Sequence, residues 1–246
     1  MNMPVRIVLV GAAGRMGQAI TSAAAGQNDL AIVARVEIGD RLEEASAEAD
    51  VVIDFSHPSA TERNCGACMQ SSKPLVIGTT GHSADEMRAI RAAATAIPVL
   101  LAPNFSIGVN ALFWLARKTN ELLGEEFDVE IVETHHRSKK DAPSGTAKRL
   151  ATILCEERGL KYEEHVAHGR EGLSGERSTR EIGLHSIRAG DVVGDHTVIF
   201  ATPGERLELT HKAASRETFA SGALRAARWI IGQPANLYSM KDVLGL

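Results

Sequence analysis

The stretch from residue 135 to residue 146 holds the densest group of cationic and proton-transferring side chains in the sequence. His135 and Lys139 can donate or accept protons at neutral pH. The stretch leads into a predicted helix start, where Ser144 or Thr146 would be the N-cap. Because backbone N–H groups at Gly145 and Thr146 would bind a carboxylate there, the pattern predicts a small anionic substrate. A solvated basic loop is the alternative.

A glycine-rich turn follows the first apolar run, residues 5–10. Its glycines are Gly11, Gly14 and Gly17, with Ala13 where the G-x-G-x-x-G pattern has its second glycine. Glycine lets the backbone approach a pyrophosphate, whose charge is favoured at the N-terminus of the next helix. The turn therefore predicts dinucleotide binding, although close packing of a helix on a strand would also call for glycine.

Three further segments lie where strands are predicted to end. Glu37 follows the second strand, and a carboxylate there accepts hydrogen bonds from ribose hydroxyls and disfavours a 2′-phosphate. Gly78–Gly81 and Ala102–Phe105 each end a later strand, at the edge where open α/β sheets bind ligands. We expect both to line the nicotinamide. The alternatives are a solvated charge at Glu37 and plain turns in the other two segments.

The first hundred residues must supply the sheet that positions these turns. Short apolar runs at 5–10, 31–36, 51–55, 75–78 and 99–102 are separated mostly by alanine-rich helical stretches. Alternating strands and helices predict right-handed crossovers and a Rossmann doubly wound parallel sheet.

From Asn104 onward the pattern changes. A predicted helix at 107–123 precedes a strand at 127–133, in which apolar and acidic residues alternate. A helix at about 146–158, a polar loop to about 178 and three alternating runs follow, at 181–188, 195–201 and 206–211. This order predicts an α+β unit with a mostly antiparallel sheet. The last segment, 215–231, is again helical.

Composition argues against nucleic-acid and membrane partners. The net charge of −4 lacks the basic surplus that phosphate-backbone binding demands. No apolar run approaches the roughly 20 residues that span a bilayer. Because the N-terminus lacks the features of a signal peptide, we expect a cytoplasmic protein.

The sequence offers no metal site. Cys65 and Cys68 form a C-x-x-C pair, but Cys155 stands without a ligand partner at suitable spacing. We interpret the pair as structural thiols, with a redox role as the alternative. His165, His168, His185, His196 and His211 lack metal-ligand spacing and are interpreted as structural or exposed.

Taken together, these segments resemble the dihydrodipicolinate reductase family over nearly the whole chain. The stretch with His-His-x-x-Lys and D-A-P-S-G-T is the most family-specific part. The matching motifs are Gly11-Ala-Ala-Gly14-Arg-Met-Gly17, Gly78-Thr-Thr-Gly81, Ala102-Pro-Asn-Phe105-Ser-Ile-Gly-Val-Asn110, Glu133-Thr-His-His136-Arg-Ser-Lys139-Lys-Asp-Ala-Pro-Ser-Gly-Thr-Ala147 and Arg188-Ala-Gly-Asp-Val-Val-Gly194.

The resemblance implies a Rossmann dinucleotide-binding domain of residues 1–106 and 217–246. It implies an inserted α+β domain, residues 107–216, that binds substrate and associates into a homotetramer. The implied reaction is NADH- or NADPH-dependent reduction of 4-hydroxy-tetrahydrodipicolinate, via dihydrodipicolinate, to tetrahydrodipicolinate in the diaminopimelate route of lysine biosynthesis. The substrate partner is thus a small dicarboxylate.

Matched positions also imply roles for single residues. His135 would be the proton donor or acceptor and Lys139 a proton donor. The implied substrate-binding residues are His136, Ser144, Gly145, Thr146, Thr80 and Arg216. The implied cofactor-binding residues are Gly11, Ala12, Ala13, Gly14, Arg15, Met16, Glu37, Gly78, Thr79, Thr80, Ala102, Pro103, Asn104 and Phe105.

The sequence departs from the family pattern after Glu37. Ile38 stands where many members carry a basic residue that pairs with the 2′-phosphate, and the stretch between the second and third strands is shorter than in longer members. We therefore predict that NADH is preferred over NADPH or used equally well, with Arg15 as the main cation that could reach the phosphate.

Two other functions fit parts of the sequence. Another two-domain amino-acid or semialdehyde dehydrogenase would share the cofactor domain, but an acylating semialdehyde enzyme needs a recognisable cysteine nucleophile. A non-catalytic NAD(H)-binding sensor would have no need for the His- and Lys-rich anion site.

Overall fold

The chain divides into two compact units. A computed structural model describes residues 3–246. The first unit consists of Met1–Ile107 and Arg216–Leu246, and the second unit is Gly108–Ser215. Each unit has its own sheet and its own apolar core.

Eleven strands and nine α-helices are present among residues 3–246. The strands are β1 (Val5–Val10), β2 (Leu30–Val36), β3 (Val51–Asp54), β4 (Leu75–Ile77), β5 (Pro98–Leu101), β6 (Asp128–His135), β7 (Val166–His168), β8 (Ile182–Arg188), β9 (Gly194–Thr202), β10 (Glu205–Ala213) and β11 (Asn236–Tyr238). The helices are α1 (Arg15–Ala25), α2 (Leu42–Ala45), α3 (Thr61–Gln70), α4 (Ala84–Ala93), α5 (Ile107–Leu123), α6 (Gly145–Glu157), α7 (Tyr162–His165), α8 (Glu217–Ile230) and α9 (Met240–Leu244).

The sheet of the first unit is entirely parallel, as the alternating pattern predicted. Its strand order is β11-β5-β4-β3-β1-β2. The order reverses beside β1, so the crevice that opens between the ends of β1 and β3 is the point where such sheets bind ligands. The Rossmann-like fold of this unit is therefore confirmed.

Both faces of this sheet are covered, which explains its continuous apolar strands. Ile7 and Leu9 of β1 pack in a core with residues of α1, α8 and α9. Val8 and Val10 point the other way, into a core with residues of α2, α3 and α4. None of the helices within residues 3–246 has the length and apolar content to cross a membrane.

The sheet of the second unit is mixed, so the expectation of a mostly antiparallel sheet was wrong. Its order is β10-β9-β6-β8-β7. The pairs β10–β9 and β9–β6 are antiparallel, but β6–β8 and β8–β7 are parallel. The physical reason is α6, which lies between β6 and β8 in the chain. A helical crossover returns the next strand parallel to the first.

Helices α5 and α6 contribute to the core on one face of the mixed sheet. Leu112 and Ala116 of α5 and Leu150 of α6 pack with Ile131 of β6 and Phe200 of β9. The strict alternation of buried and half-buried residues along β6 follows from this one-sided cover.

Several short elements, among them the five-residue helix α9, were not predicted from the sequence. Strands β7 and β11 have three residues each, and α7, four residues long, lies in the segment predicted as a polar loop. Segments this short show no measurable periodicity. The pairing of β7 with β8, and of β11 with β5, depends on the tertiary structure.

We predict opposite effects for two helical glycines replaced by alanine. A Cβ on Gly222 of α8 would lie 1.8 Å from the carbonyl oxygen of Phe105, so Gly222→Ala should cost roughly 1–3 kcal/mol. Gly66 of α3 has no atom within 4 Å of such a Cβ. Gly66→Ala should instead stabilise by up to about 1 kcal/mol. Thermal melts of both variants measure this, and equal Tm values would contradict it.

Candidate active site

The glycine turn of the first unit brings backbone, not side chains, to the end of β1. Gly11 has a φ of +77°, and a Cβ there would lie 2.7 Å from the carbonyl oxygen of Phe55. Only glycine fits both conditions. Gly14 then stands as the N-cap of α1, without a side chain that could cover the helix N-terminus. An anion can therefore approach the N-terminus of α1, where the helix dipole is positive.

Glu37 lies beside this turn. Its Oε1 accepts a hydrogen bond from the backbone N–H of Ala13, at 2.6 Å, and its own N–H donates to Asp40. The side chain of the next residue, Ile38, is wholly exposed. The carboxylate is therefore held at the glycine turn, and Ile38 places no positive charge beside it.

The ends of β3, β4 and β5 pack against one another. The rings of Phe55 and Phe105 lie 5.4 Å apart between centroids. A Cβ on Gly78 would lie 2.2 Å from the Phe55 ring, so a side chain there would displace this ring. Phe105 and Ala102 are buried, whereas Pro103 and Thr80 are exposed.

Asp54 anchors the same edge of the sheet. This buried carboxylate accepts hydrogen bonds from the N–H and hydroxyl of Ser56, from Asn64 Nδ2 at 2.8 Å and from the hydroxyl of Thr79 at 3.3 Å. Thr79 is one of the predicted cofactor residues. Asp54 lies in a segment predicted as a strand, and no role was predicted for it.

The C-x-x-C pair lies in the apolar core of the first unit. Cys65 and Cys68 are both buried free thiols on α3. Burial raises the pKa of Cys65 to about 12 and also raises the pKa of Cys68. Because the thiolate is the reactive form, this environment favours the structural interpretation over the redox one.

In the second unit a buried carboxylate joins several predicted site residues. Glu133 has no exposed surface. Its Oε2 lies 2.5 Å from His135 Nδ1, and its Oε1 accepts the backbone N–H of Ser144 at 3.1 Å. Arg188 of β8 donates to both Glu133 oxygens, at 2.9 and 2.8 Å. The strand that carries His135 is thereby tied to the start of α6.

His196 of β9 is a further buried member of this cluster. Its ring lies 5.2 Å from that of His135 between centroids, and its Nε2 lies 3.0 Å from Ser144 Oγ. Burial and the nearby His135 lower the pKa of His196 to about 3. The ring is therefore neutral at physiological pH.

The tautomer of His196 determines what the Ser144 hydroxyl can do. His196 Nδ1 is buried and has no hydrogen-bond partner among the described residues. An unpartnered lone pair costs less than an unpartnered N–H, so Nε2 carries the proton and donates to Ser144. The same Ser144 oxygen, as the N-cap of α6, accepts the N–H of Ala147 at 3.1 Å. The hydroxyl hydrogen of Ser144 is left to donate elsewhere.

The loop after β6 carries the predicted lysine. Lys139 Nζ donates to both carboxylate oxygens of Asp141, at 2.9 Å each, and this pairing lowers the pKa of Asp141. The backbone carbonyl of Asp141 accepts from Arg188. His136 is half-buried and contacts the hydroxyl of Ser138. Lys139 and His135 are therefore connected through Arg188.

The remaining predicted site residues begin helices. Gly145 and Thr146 form the first turn of α6, with Ser144 as the N-cap. Arg216 is exposed and is the N-cap of α8, in the first unit. The described residues contain no group of three or more His, Cys, Asp or Glu side chains that could hold a metal ion.

The roles of Glu133, Arg188 and His196 in this cluster were not predicted from the sequence. Glu133 and Arg188 stand inside the quoted motifs, but a charged residue in an alternating strand normally faces water. The alternation did contain a signal. Glu133 shares the parity of the buried Val129 and Ile131, which places it on the buried face.

The fold of the first unit and the cluster around Glu133 together define a class of protein. The first unit is a Rossmann-like nucleotide-binding fold with a glycine turn at the strand-order reversal, and the second unit presents a carboxylate-held histidine next to a helix N-terminus. This is the plan of a two-unit nucleotide-dependent oxidoreductase.

Comparisons with known proteins define the family. Residues 5–105 match the model of the dihydrodipicolinate reductase N-terminus, and residues 108–244 match that of its C-terminus. The 4-hydroxy-tetrahydrodipicolinate reductase of Akkermansia muciniphila is 54% identical over 242 residues, which is 98% of each chain. That of Hahella chejuensis is 45% identical over 264 residues, 98% of this chain and 99% of the relative. The chain belongs to the dihydrodipicolinate reductase family.

A solved structure agrees with this membership. The dipicolinate-bound dihydrodipicolinate reductase from Paenisporosarcina sp. TG-14 superposes with a TM-score of 0.79 at 25% identity, covering 96% of this chain and 98% of that one. The match extends over both units.

We predict that His196 makes the folded state sensitive to mild acid. The unfolded chain binds a proton near the ordinary pKa of 6.5, whereas folded His196 stays neutral to about pH 3. Its contribution is complete above pH 6.5 and declines as the pH falls from there, by at most about 1.4 kcal/mol per pH unit. Denaturant titrations at pH 7.0 and 5.5 measure this. Between these two pH values, the free energy of unfolding should fall less for His196→Gln than for wild type.

The exposed His168 supplies the control. His168→Gln should keep the pH dependence of the wild type. If His196→Gln also keeps it, His196 does not carry this acid sensitivity.

Proposed function

We propose that this chain catalyses NAD(P)H-dependent reduction of 4-hydroxy-tetrahydrodipicolinate, via dihydrodipicolinate, to tetrahydrodipicolinate in the diaminopimelate route of lysine biosynthesis. The observation that carries the proposal is the Glu133 carboxylate, which contacts both His135 and the N-terminus of α6. The same carboxylate therefore positions both a proton-transfer group and an anion site. This is what a reaction on a cyclic dicarboxylate needs.

The proposed chemistry divides between cofactor and protein. Bound NAD(P)H supplies the hydride. Reduction of a conjugated imine also requires a proton, which we assign to His135 and Lys139. The substrate carboxylates would be bound by His136, Ser144, Gly145 and Thr146, with Thr80 and Arg216 as further contacts. The free hydrogen of the Ser144 hydroxyl and the N–H groups of the first turn of α6 support this assignment.

The first unit would hold the cofactor. The close approach of Gly11 to Phe55 and the bare N-terminus of α1 fit a pyrophosphate. The proposed binding residues are Gly11, Ala12, Ala13, Gly14, Arg15, Met16, Glu37, Gly78, Thr79, Thr80, Ala102, Pro103, Asn104 and Phe105. We assign residues 1–106 and 217–246 to this function and 107–216 to substrate binding and assembly.

We propose NADH as the preferred or equally used cofactor, with NADPH as the second. Glu37 is already oriented toward the glycine turn, where it can accept from ribose hydroxyls and repel a 2′-phosphate. Ile38 offers no compensating cation. Arg15, the first residue of α1, is the exposed cation that could oppose this preference.

We further propose a cytoplasmic homotetramer assembled through the mixed sheet. One face of that sheet packs on α5 and α6. On the other face, Val132 and Ile199 are half-buried and Ile187 is 46% exposed. Apolar side chains on an open face support association with further copies.

A coupled assay tests the reaction directly. The upstream synthase generates the unstable substrate in situ, and loss of NADH absorbance reports its reduction. Turnover that depends on both synthase and chain supports the proposal. NADH binding without turnover would instead favour a nucleotide sensor.

We predict that His135→Ala and Lys139→Ala each lower kcat by about 10²- to 10⁴-fold, because general acid–base groups contribute that much. The NADH dissociation constant should not change. Wild-type kcat in both variants would exclude the proposed proton-transfer roles.

We also predict that Ile38→Arg shifts cofactor use toward NADPH. An arginine next to Glu37 adds a charge-assisted hydrogen bond to a 2′-phosphate, worth roughly 1.5–3 kcal/mol. The ratio of kcat/KM for NADPH and NADH should rise about 10-fold or more. Ile38→Gln is the uncharged control and should leave the ratio near wild type. A wild type that strongly prefers NADPH would contradict the assigned role of Glu37.

A further inference from the structure

We propose that Glu133 and Arg188 act as a positioning pair that sets the tautomer and proton affinity of His135. The proposal rests on the function assigned above, in which His135 transfers a proton. Neither residue needs to touch the substrate. Their effect passes through the Nδ1 side of the imidazole.

Glu133 determines which nitrogen of His135 carries the fixed proton. Burial alone would raise the pKa of this carboxyl, but hydrogen bonds from Arg188 and His135 lower it to about 2. An ionised carboxylate can only accept. The contact at Nδ1 therefore requires the Nδ1–H tautomer, and the exchangeable position is Nε2.

The surroundings of Nε2 agree with this assignment. A Cβ on Gly194 of β9 would lie 2.9 Å from His135 Nε2. A side chain at Gly194 would therefore crowd the nitrogen that Glu133 does not hold, and glycine avoids this contact. Nδ1 is fixed and Nε2 is the atom from which a proton can be given or taken.

Arg188 keeps the Glu133 carboxylate ionised and fixes its orientation. Its two terminal nitrogens each donate to one Glu133 oxygen, which is the bidentate arrangement that fixes a carboxylate in its plane. The second of these nitrogens also donates to the Asp141 carbonyl. Arg188 thus holds β6, β8 and the loop of Lys139 together.

The two partners act on the His135 proton with opposite signs. The charge of Glu133 favours the imidazolium, and the charge of Arg188 disfavours it. Other titratable groups also face this cluster and must be counted. They are His196 on β9, His211 on β10, and Lys139 and Asp141 on the loop after β6. His196 is neutral, whereas Glu133 contacts His135 Nδ1 directly and Arg188 pairs with that carboxylate.

The test follows His135 by NMR in histidine-labelled, full-length protein. His135→Gln identifies its signals among those of nine histidines. Imidazole ¹⁵N shifts of the wild type should show Nδ1 protonated and Nε2 unprotonated in the neutral ring. The tautomer itself is read from the wild type, and His135→Gln serves only to assign the signals. The opposite tautomer overturns the proposal.

Three substitutions then test the signs. Glu133→Gln should move the titration midpoint of His135 to lower pH, and Arg188→Gln should move it to higher pH, each by about one unit or more. Arg188→Lys keeps the charge but not the two parallel hydrogen bonds, so its midpoint should lie closer to wild type than that of Arg188→Gln. A loss of packing alone would not produce shifts of opposite sign. Shifts in the same direction, or none, overturn the proposal.

Glu130→Gln is the matched control. Glu130 lies on the same strand but on the opposite face, where it also pairs with arginines and a histidine. Its loss should not move the His135 midpoint. If it moves the midpoint as far as Glu133→Gln does, the effect is not specific to the pair and the proposal fails.

Kinetics separate this inference from the proposed function. In the coupled assay Glu133→Gln should lower kcat on the order of 10²-fold with an unchanged NADH dissociation constant, and the pH-rate profile should shift in the direction seen by NMR. If the wild type reduces the substrate but neither the pH-rate profile nor the NMR titration midpoint shifts in the variants, the inference fails and the function stands. If wild type does not turn over and the midpoints still shift oppositely, the function fails and the pairing stands.

Discussion

One buried carboxylate organises the second unit. Glu133 has no contact with solvent, so leaving its charge unpaired would cost several kcal/mol. Two nitrogens of Arg188, one ring nitrogen of His135 and one backbone N–H satisfy it. These donors come from two strands and a helix N-cap. A single requirement, that a buried charge be fully hydrogen-bonded, therefore fixes the relative positions of β6, β8 and α6.

The first unit depends on a different constraint, the close approach of backbone to backbone. Gly11, Gly78 and Gly222 each lie where a Cβ would collide with Phe55 or Phe105. Their lack of side chains lets the ends of the strands and α8 pack against one another. The result is an edge formed by turns at the ends of β1, β3, β4 and β5, with the carboxylates of Glu37 and Asp54 held by hydrogen bonds. One unit thus presents backbone donors, and the other presents titratable side chains.

The division fits an oxidoreductase of this family. A nucleotide offers phosphates and ribose hydroxyls, which backbone N–H groups and a single carboxylate can recognise. A small dicarboxylate that must also receive a proton needs a histidine of defined tautomer and a cationic anion site. Because the histidine is held by a hydrogen bond to the buried Glu133 carboxylate, which Arg188 in turn holds, its orientation is fixed by the fold.

The sequence alone determined the class of fold, the family and most element positions. The buried strands of the first unit are continuous apolar segments, and the spacing of the glycines is a local feature. Both can therefore be recognised without knowledge of the tertiary structure. Helix α5 was predicted with its observed bounds, and β1 likewise. Tertiary structure decided the parallel pairing of β8 with β6 and the short strands β7 and β11, because pairing partners lie far apart in the chain. It also decided that Glu133, Arg188 and His196 meet at His135. Residues 133, 188 and 196 are brought together only by sheet register, and no spacing rule in one sequence contains that register.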